Sequence, residues 1–348
     1  MTAGNPSTDL RLQPGPTDSL VDVPGIEVGH YTHDSVHRGT TAILCKESAT
    51  AGVSVRGSNP GTINTDALAP TMAGGTVHAI GLTGGSLYGL AAITGITEWL
   101  YQQGAGLQLR DVLIPVVAGA VIFDLYFTDS TVHPTPEWGM RAAANASRQP
   151  FARGNVGAGT GGTAGKGPGC VRTKGGLGTA SLLLPGGIVV GAVVVINSLG
   201  GLIHPLTGEL YASHGGFDVP LLYQQLDPVP EPDSAASLTN TTLGLIATNA
   251  RLSGPQVTKV ADLAHDGLAR AIRPVHAMLD GDTIFAVSTE VDAVLPSETT
   301  GAYLTDMIGH AGADAMVLAV LDAARETAGI GDWPSVADAK LAVKSRFG

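Results

Sequence analysis

The run Ile188–Ile196, interrupted only by Gly191, is the longest continuous apolar stretch in the chain. It is too short to cross a bilayer as a helix, which takes about 20 residues. A short run of that apolarity is a strand buried inside a fold. Val112–Ile122 and Ile284–Thr289 read as further buried strands. Helices alternate with them. Ser86–Gln103 lies between Gly84-Gly85 and Gly104, the glycine expected past a helix end. Ser253-Gly254-Pro255-Gln256 is a capping-box start, and Val257, Val260, Ala261, Ala264, Leu268, Ala271 and Ile272 follow at helical spacing. A last helix covers about Leu304 to Arg325. The pattern is α/β, in the α+β sense of stacked helical and sheet layers. With 348 residues, 44% hydrophobic and 14% charged, the chain can bury a large core.

Length alone permits two domains, but no composition boundary interrupts the apolar segments before residue 224, so a single domain over 1–348 is expected. From Gln224 to Asn240, Pro228, Pro230 and Pro232 alternate with Asp227, Glu231 and Asp233, as in an extended, solvated linker. Residues 1–18 are polar and contain proline without an apolar core, which suits a flexible leader rather than a signal peptide. The formal net charge of −11, without a basic run, argues against a nucleic-acid partner. With no membrane span in view, a cytoplasmic location is expected. Cys45 and Cys170 form no CxxC and read as buried free thiols. His30, His33 and His37 lie in a Gly- and Thr-rich stretch without HExxH, so a surface or structural role is favoured over a metal site. No cofactor is called for. Glycine is densest over 154–178, but Gly167 stands where a Walker loop after Gly165-Lys166 needs Ser or Thr. Close backbone packing is the better reading.

The linker ends at Asn240-Thr241, where Thr242–Thr248 begins an apolar strand. Cleavage of that bond would give Thr241 a nucleophilic hydroxyl and, on the same residue, an α-amine able to serve as its base. The amine's reference pKa of roughly 7.7 to 8 leaves part of it neutral at neutral pH. Two plainer readings compete. Asn-Thr-Thr is a glycosylation sequon, and Thr commonly opens strands.

The segments Asn240–Asn249, Leu268–Pro274 and Leu279–Ala286, with Asp22–His30 and Leu82–Leu90 upstream, resemble the self-processing amidases: D-aminopeptidases, β-peptidyl aminopeptidases and 6-aminohexanoate-oligomer (nylon-oligomer) hydrolases. The likeness covers most of the chain, ending near residue 325. It implies a four-layer α-β-β-α sandwich of the N-terminal-nucleophile type, cut into an α chain (1–240) and a β chain (241–348). It implies nucleophile Thr241 freed from Asn240, an active-site Lys166, Asn197 as an oxyanion donor, and Asp280 and Asp282 orienting the Thr241 amine. For the Asp pair, a plain Asp-Gly turn is the alternative. His265 and His276, between nucleophile and Asp pair, read as possible core hydrogen-bonders. Phe123 stands where the family has tyrosine, so Phe123 and Asp124 are possible substrate-pocket residues from which one hydroxyl donor is missing. The resemblance further implies short-peptide substrates, including β- or D-residues, or ω-amino-acid oligomer amides, and homo-oligomers of αβ units. Two other classes fit less well: an acyltransferase like the ornithine acetyltransferases, and an uncleaved, non-catalytic binding protein.

Overall fold

In the computed structural model, residues 13–72, 74–167, 172–203, 205, 240–292 and 301–339 are described. Most of the leader, Cys170 and the linker residues 224–239 lie outside them.

Eight strands carry the architecture: β1 (Glu27–Thr32), β2 (Gly39–Val55), β3 (Thr76–Thr83), β4 (Val117–Val121), β5 (Leu177–Leu184), β6 (Ile188–Asn197), β7 (Thr241–Thr248) and β8 (Thr283–Ser288). Their hydrogen-bonded order is β5-β6-β7-β8-β2-β3-β4, with β1 also on β2. Most neighbours are antiparallel; β7–β8 and β3–β4 are parallel. The long β2 joins the two halves. Its register with β3 shifts between Leu44 and Ala49, the kind of bulge that bends a strand.

Side-chain alternation shows how the sheet is layered. Val193, Val195, Leu243, Leu245 and Phe285 from one half share a core with Ile43, Ile80, Leu82, Ala118 and Ala120 from the other. The two halves therefore face each other. The opposite faces of β6 and β7 (Val190, Ala192, Val194, Ile246) pack on helices α3 (Gly254–Ala271) and α4 (Gly301–Glu326). Ala42, Leu44, Ala79 and Val117 pack instead on α1 (Leu90–Gln102) and α2 (Pro136–Ala144). The result is the expected helix, sheet, sheet, helix order. The β6 run is apolar throughout because helices cover one of its faces and the second sheet the other.

Local signals behave as their chemistry dictates. At the start of α3, the Ser253 backbone N–H donates to Gln256 Oε1 at 2.9 Å. Gly104 follows α1 with φ +71°. Two expectations are corrected. Ser86–Gly89 is a 3-10 turn, and the α-helix proper begins at Leu90. Val112–Ile122 is not one buried strand: Val112–Ile114 pairs with Leu107–Leu109 in an exposed hairpin, and Pro115 separates it from buried β4. Proline has no N–H for a ladder, so a strand tends to break there. Helix α4 has the length and apolarity of a membrane span, but 72% of that window is buried in the fold, as in a core helix.

Candidate active site

Strand pairing places Thr241 opposite Asn197, at the head of β7 and the end of β6. Both are buried. The Thr241 hydroxyl donates to the carbonyl oxygen of Asn240, and the backbone N–H of Gly281 donates to that same oxygen at 3.1 Å. The Asn240 carbonyl thus carries two donors, one from the residue that follows it. The loop 280–282 is held from its other side, where Asn59 N–H donates to Asp280 O at 2.9 Å and Arg56 and Gly57 donate to Asp282 O. Gly281 permits this three-way approach: a Cβ there would lie 2.7 Å from Thr241 Oγ1 and 2.8 Å from Asn59 O.

The two carboxylates flanking Gly281 do different work. Asp282 Oδ1 accepts from Thr242 N–H at 2.6 Å, and its Oδ2 accepts from His276 through both N–H, at 3.0 Å, and Nδ1, at 2.8 Å. Asp280 Oδ2 accepts from Ala277 N–H at 2.7 Å, while Oδ1 is buried with no hydrogen-bond partner among the described residues. Burial, then the neighbouring Asp282, pushes the Asp280 carboxyl up to about 6. The Asp-Gly turn and the placement near Thr241 hold together.

Lys166 Nζ donates to Asn197 Oδ1 at 2.9 Å and to Asn197 O at 3.0 Å. Burial lowers its pKa to about 7, against the opposing pull of Asp280 and Asp282. Asn197 Oδ1 also accepts from Thr163 N–H and hydroxyl, and Asn197 Nδ2 donates to Phe123 O at 2.8 Å. The amide therefore ties the segment around Lys166, the Phe123 loop and the end of β6 together. Gly162 and Gly175 bring the glycine-dense segment onto the same place, since a Cβ at either would sit 2.2 Å from Ile196 O.

Two cavities meet at Phe123. One of about 220 Å³ holds Thr241 with Asn59, Ser86 and Leu87; the other, of about 230 Å³, holds Lys166, Asn197 and Asp124. Asp124 lines the second, yet its Oδ1 is engaged by Arg38 Nε at 2.8 Å and Gly85 N–H at 2.7 Å, with both side chains fully buried. The three histidines of the early cluster occupy separate settings: His30 binds Thr41, His33 stacks on Trp138 and His37 meets Phe127.

The model of peptidase family S58 matches residues 18–331. The chain belongs to this family. An uncharacterised aminopeptidase of Mycobacterium leprae is 38% identical over 92% of this chain and 94% of its own length. A 6-aminohexanoate-oligomer endohydrolase of Kocuria sp. is 31% identical over 87% of this chain and 85% of its own. Among solved structures, the L-aminopeptidase D-Ala-esterase/amidase of Ochrobactrum anthropi, described as a variant of the Ntn-hydrolase fold, superposes with TM-score 0.72. It is 22% identical, over 97% of this chain and 96% of that one, and so speaks to the fold alone. This S58 chain is a hydrolase acting on amide bonds.

Two features of this S58 peptidase leave little mark in its sequence. Gly281 acts through its backbone N–H, which no residue type advertises. Lys174 and Arg38 are fully buried basic side chains. Lys174 Nζ donates to Gly162 O at 2.5 Å and Gly175 O at 3.1 Å, and burial lowers its pKa to about 7. Only a lysine amid eleven-odd glycines hinted at that strap.

Proposed function

We propose that this S58 peptidase is made as a precursor, cuts itself between Asn240 and Thr241, and then hydrolyses short-chain amides through an acyl-enzyme on Thr241. The observation that carries this reading is the pair of donors, Thr241 hydroxyl and Gly281 N–H, on the Asn240 carbonyl oxygen. In the precursor, Thr241 Oγ attacks the Asn240 carbonyl carbon. The charge growing on the oxygen is held by Gly281 N–H, a preorganised backbone donor of the oxyanion-hole type. Lys166, with a pKa near neutrality, supplies a neutral amine to accept the hydroxyl proton beside the Asn197–Thr241 strand pair. The C–N bond breaks, the acyl group passes to Oγ, and the former peptide nitrogen takes a proton as the α-amine of Thr241. Water then hydrolyses the ester and frees Oγ.

In the cut protein the new α-amine takes over as base for its own hydroxyl. Asp280, with an unpartnered buried oxygen next to the backbone of Asn240, receives the ammonium form and releases it on proton transfer. A substrate amide acylates Thr241 and its amine half leaves, and water completes the cycle. Aminopeptidase action on short peptides is one substrate class and action on ω-amino-acid oligomers the other; the names of the relatives support both. We place the enzyme in the cytoplasm as an oligomer of αβ units.

The test is the intact mass of purified protein under denaturing conditions, with N-terminal sequencing of fragments. Two chains are expected, the smaller starting Thr241-Thr242-Leu243, and Thr241→Ala remains whole and inactive. A wild-type chain that stays single after long incubation overturns the reading.

A further inference from the structure

The two cavities that meet at Phe123 differ in chemistry. The chamber holding Thr241 is lined by uncharged residues, Asn59, Pro60, Gly61, Ser86, Leu87 and Val121. The other chamber is aromatic: among its lining residues, the rings of Phe123 and Tyr126 lie 5.1 Å apart and those of Phe127 and Trp333 6.4 Å apart. It is also cationic. Lys166 and Arg172 line it, and the Arg172 guanidinium lies 5.8 Å from the centre of the Trp333 ring. The one carboxylate lining it, Asp124, is matched by Arg38. Among the described residues, no carboxylate lies within ion-pair distance of Arg172. An arginine held against an aromatic ring beside a cavity is suited to receive a carboxylate from a ligand.

Resting on the amidase reading above, we propose that the aromatic chamber seats the leaving half of the substrate: a single residue with an apolar side chain whose free α-carboxylate binds Arg172. Thr241 lines one chamber and Asn197, its cross-strand partner, lines the aromatic one, with Phe123 common to both. The bond to be cut thus falls between an uncharged seat for the acyl half and an aromatic, cationic seat for the amine half. In a short peptide only the leaving half ends in a carboxylate. A volume of about 230 Å³ is below the roughly 300 Å³ at which larger-ligand pockets begin, so the chamber takes one residue rather than a chain. Substrates are then di- and tripeptides that end in this chamber, and Arg172 and Trp333 are specificity-determining residues.

Two measurements on the processed enzyme test this. Calorimetry compares binding of phenylalanine, phenylalaninamide and glycine to wild type, Arg172→Gln, Arg172→Lys and Trp333→Ala. Kinetics compares kcat/KM for a set of aminoacyl-phenylalanines with the same compounds as carboxamides. Wild type is expected to favour the free acid about tenfold or more, as charge-assisted hydrogen bonds are roughly twice as strong as neutral ones. That ratio collapses in Arg172→Gln and partly returns in Arg172→Lys, while Trp333→Ala loses the preference for phenylalanine over glycine. Turnover with no acid preference, or equal losses on acid and amide in Arg172→Gln, overturns the proposal and leaves the amidase reading standing. Arg172-dependent binding of phenylalanine without any turnover supports the chamber and counts against the amidase reading.

Discussion

Gly281 contributes an N–H to the Asn240 carbonyl and no side chain to anything, yet there is no room for a methyl group unless Thr241 or Asn59 gives way. Gly281→Ala presses a Cβ between Thr241 Oγ1 and Asn59 O, and a displacement of that kind at a reacting centre costs about a hundredfold in rate. We expect precursor cleavage to slow by that order, followed on denaturing gels after cell-free synthesis; wild-type speed would remove Gly281 from the mechanism. Lys166 gives a second expectation. Its pKa of about 7 means that the neutral, proton-accepting form grows as pH rises through 7, so cleavage of the precursor should accelerate over that interval and level off above it. Lys166→Met should lower the cleavage rate about 100- to 10,000-fold, the usual worth of a general base, and abolish the rise with pH. At this scale the sequence singled out Thr241, Asn197, Lys166, Asp280 and Asp282, and strand pairing and hydrogen bonds gather them about the ends of β6 and β7. It was silent on backbone donors, on Arg38, whose partner Asp124 lies far along the chain, and on Lys174, whose partners are backbone carbonyls of glycines.

At the scale of elements, the strands beside the site were legible because burial on both faces leaves an unbroken apolar signature, as in β6 and β7. The hairpin at Leu107–Ile114 was not, because its exposed apolar residues mimic the same signature without the burial. Helix contacts were likewise hidden, since they depend on what a residue lacks. Helices α1 and α2 cross backbone to backbone: a Cβ on Gly139 would fall 1.7 Å from Ala92 O, and one on Gly95 would fall 1.8 Å from Pro136 O. Relief requires one helix to move as a body. Gly139→Ala should therefore destabilise the fold by about 1–3 kcal/mol, the usual cost of overpacking, despite alanine's better helix propensity. Thr241 itself stands on β7 and Gly281 just before β8, both in the half that packs on α3 and α4, so cleavage should still go to completion. A lowered denaturant midpoint with intact processing is the expected result, and an unchanged midpoint would mean that the helices separate freely.

Across the whole molecule, buried ionisable groups set how stability follows pH. Burial lowers His30 and His265 to about 4 from 6.5, so between these values the unfolded chain binds more protons and stability rises with pH. Asp280, raised to about 6 from 3.8, works the other way and offsets one of them. Above pH 7 the two buried lysines dominate. Lys166 and Lys174 lose their protons near 7 in the fold but near 10.5 when unfolded, so each adds at most about 1.4 kcal/mol of stability per pH unit from 7 upward. From pH 9, Cys45 begins to oppose them, because the unfolded thiol ionises at 9 while the buried one holds its proton to about 12. Thr241→Ala, which stays a single chain on the reading above, is the protein to use, since chain separation then does not enter. Calorimetry should find its Tm higher at pH 9 than at pH 7. Adding Lys174→Met, which keeps the bulk and removes the titration, should cut that difference by about half, whatever it does to Tm at either pH. A Tm that is flat or falls from pH 7 to 9 would mean that the buried lysines keep their charge in the fold. That outcome would also withdraw the neutral Lys166 amine on which the cleavage chemistry draws.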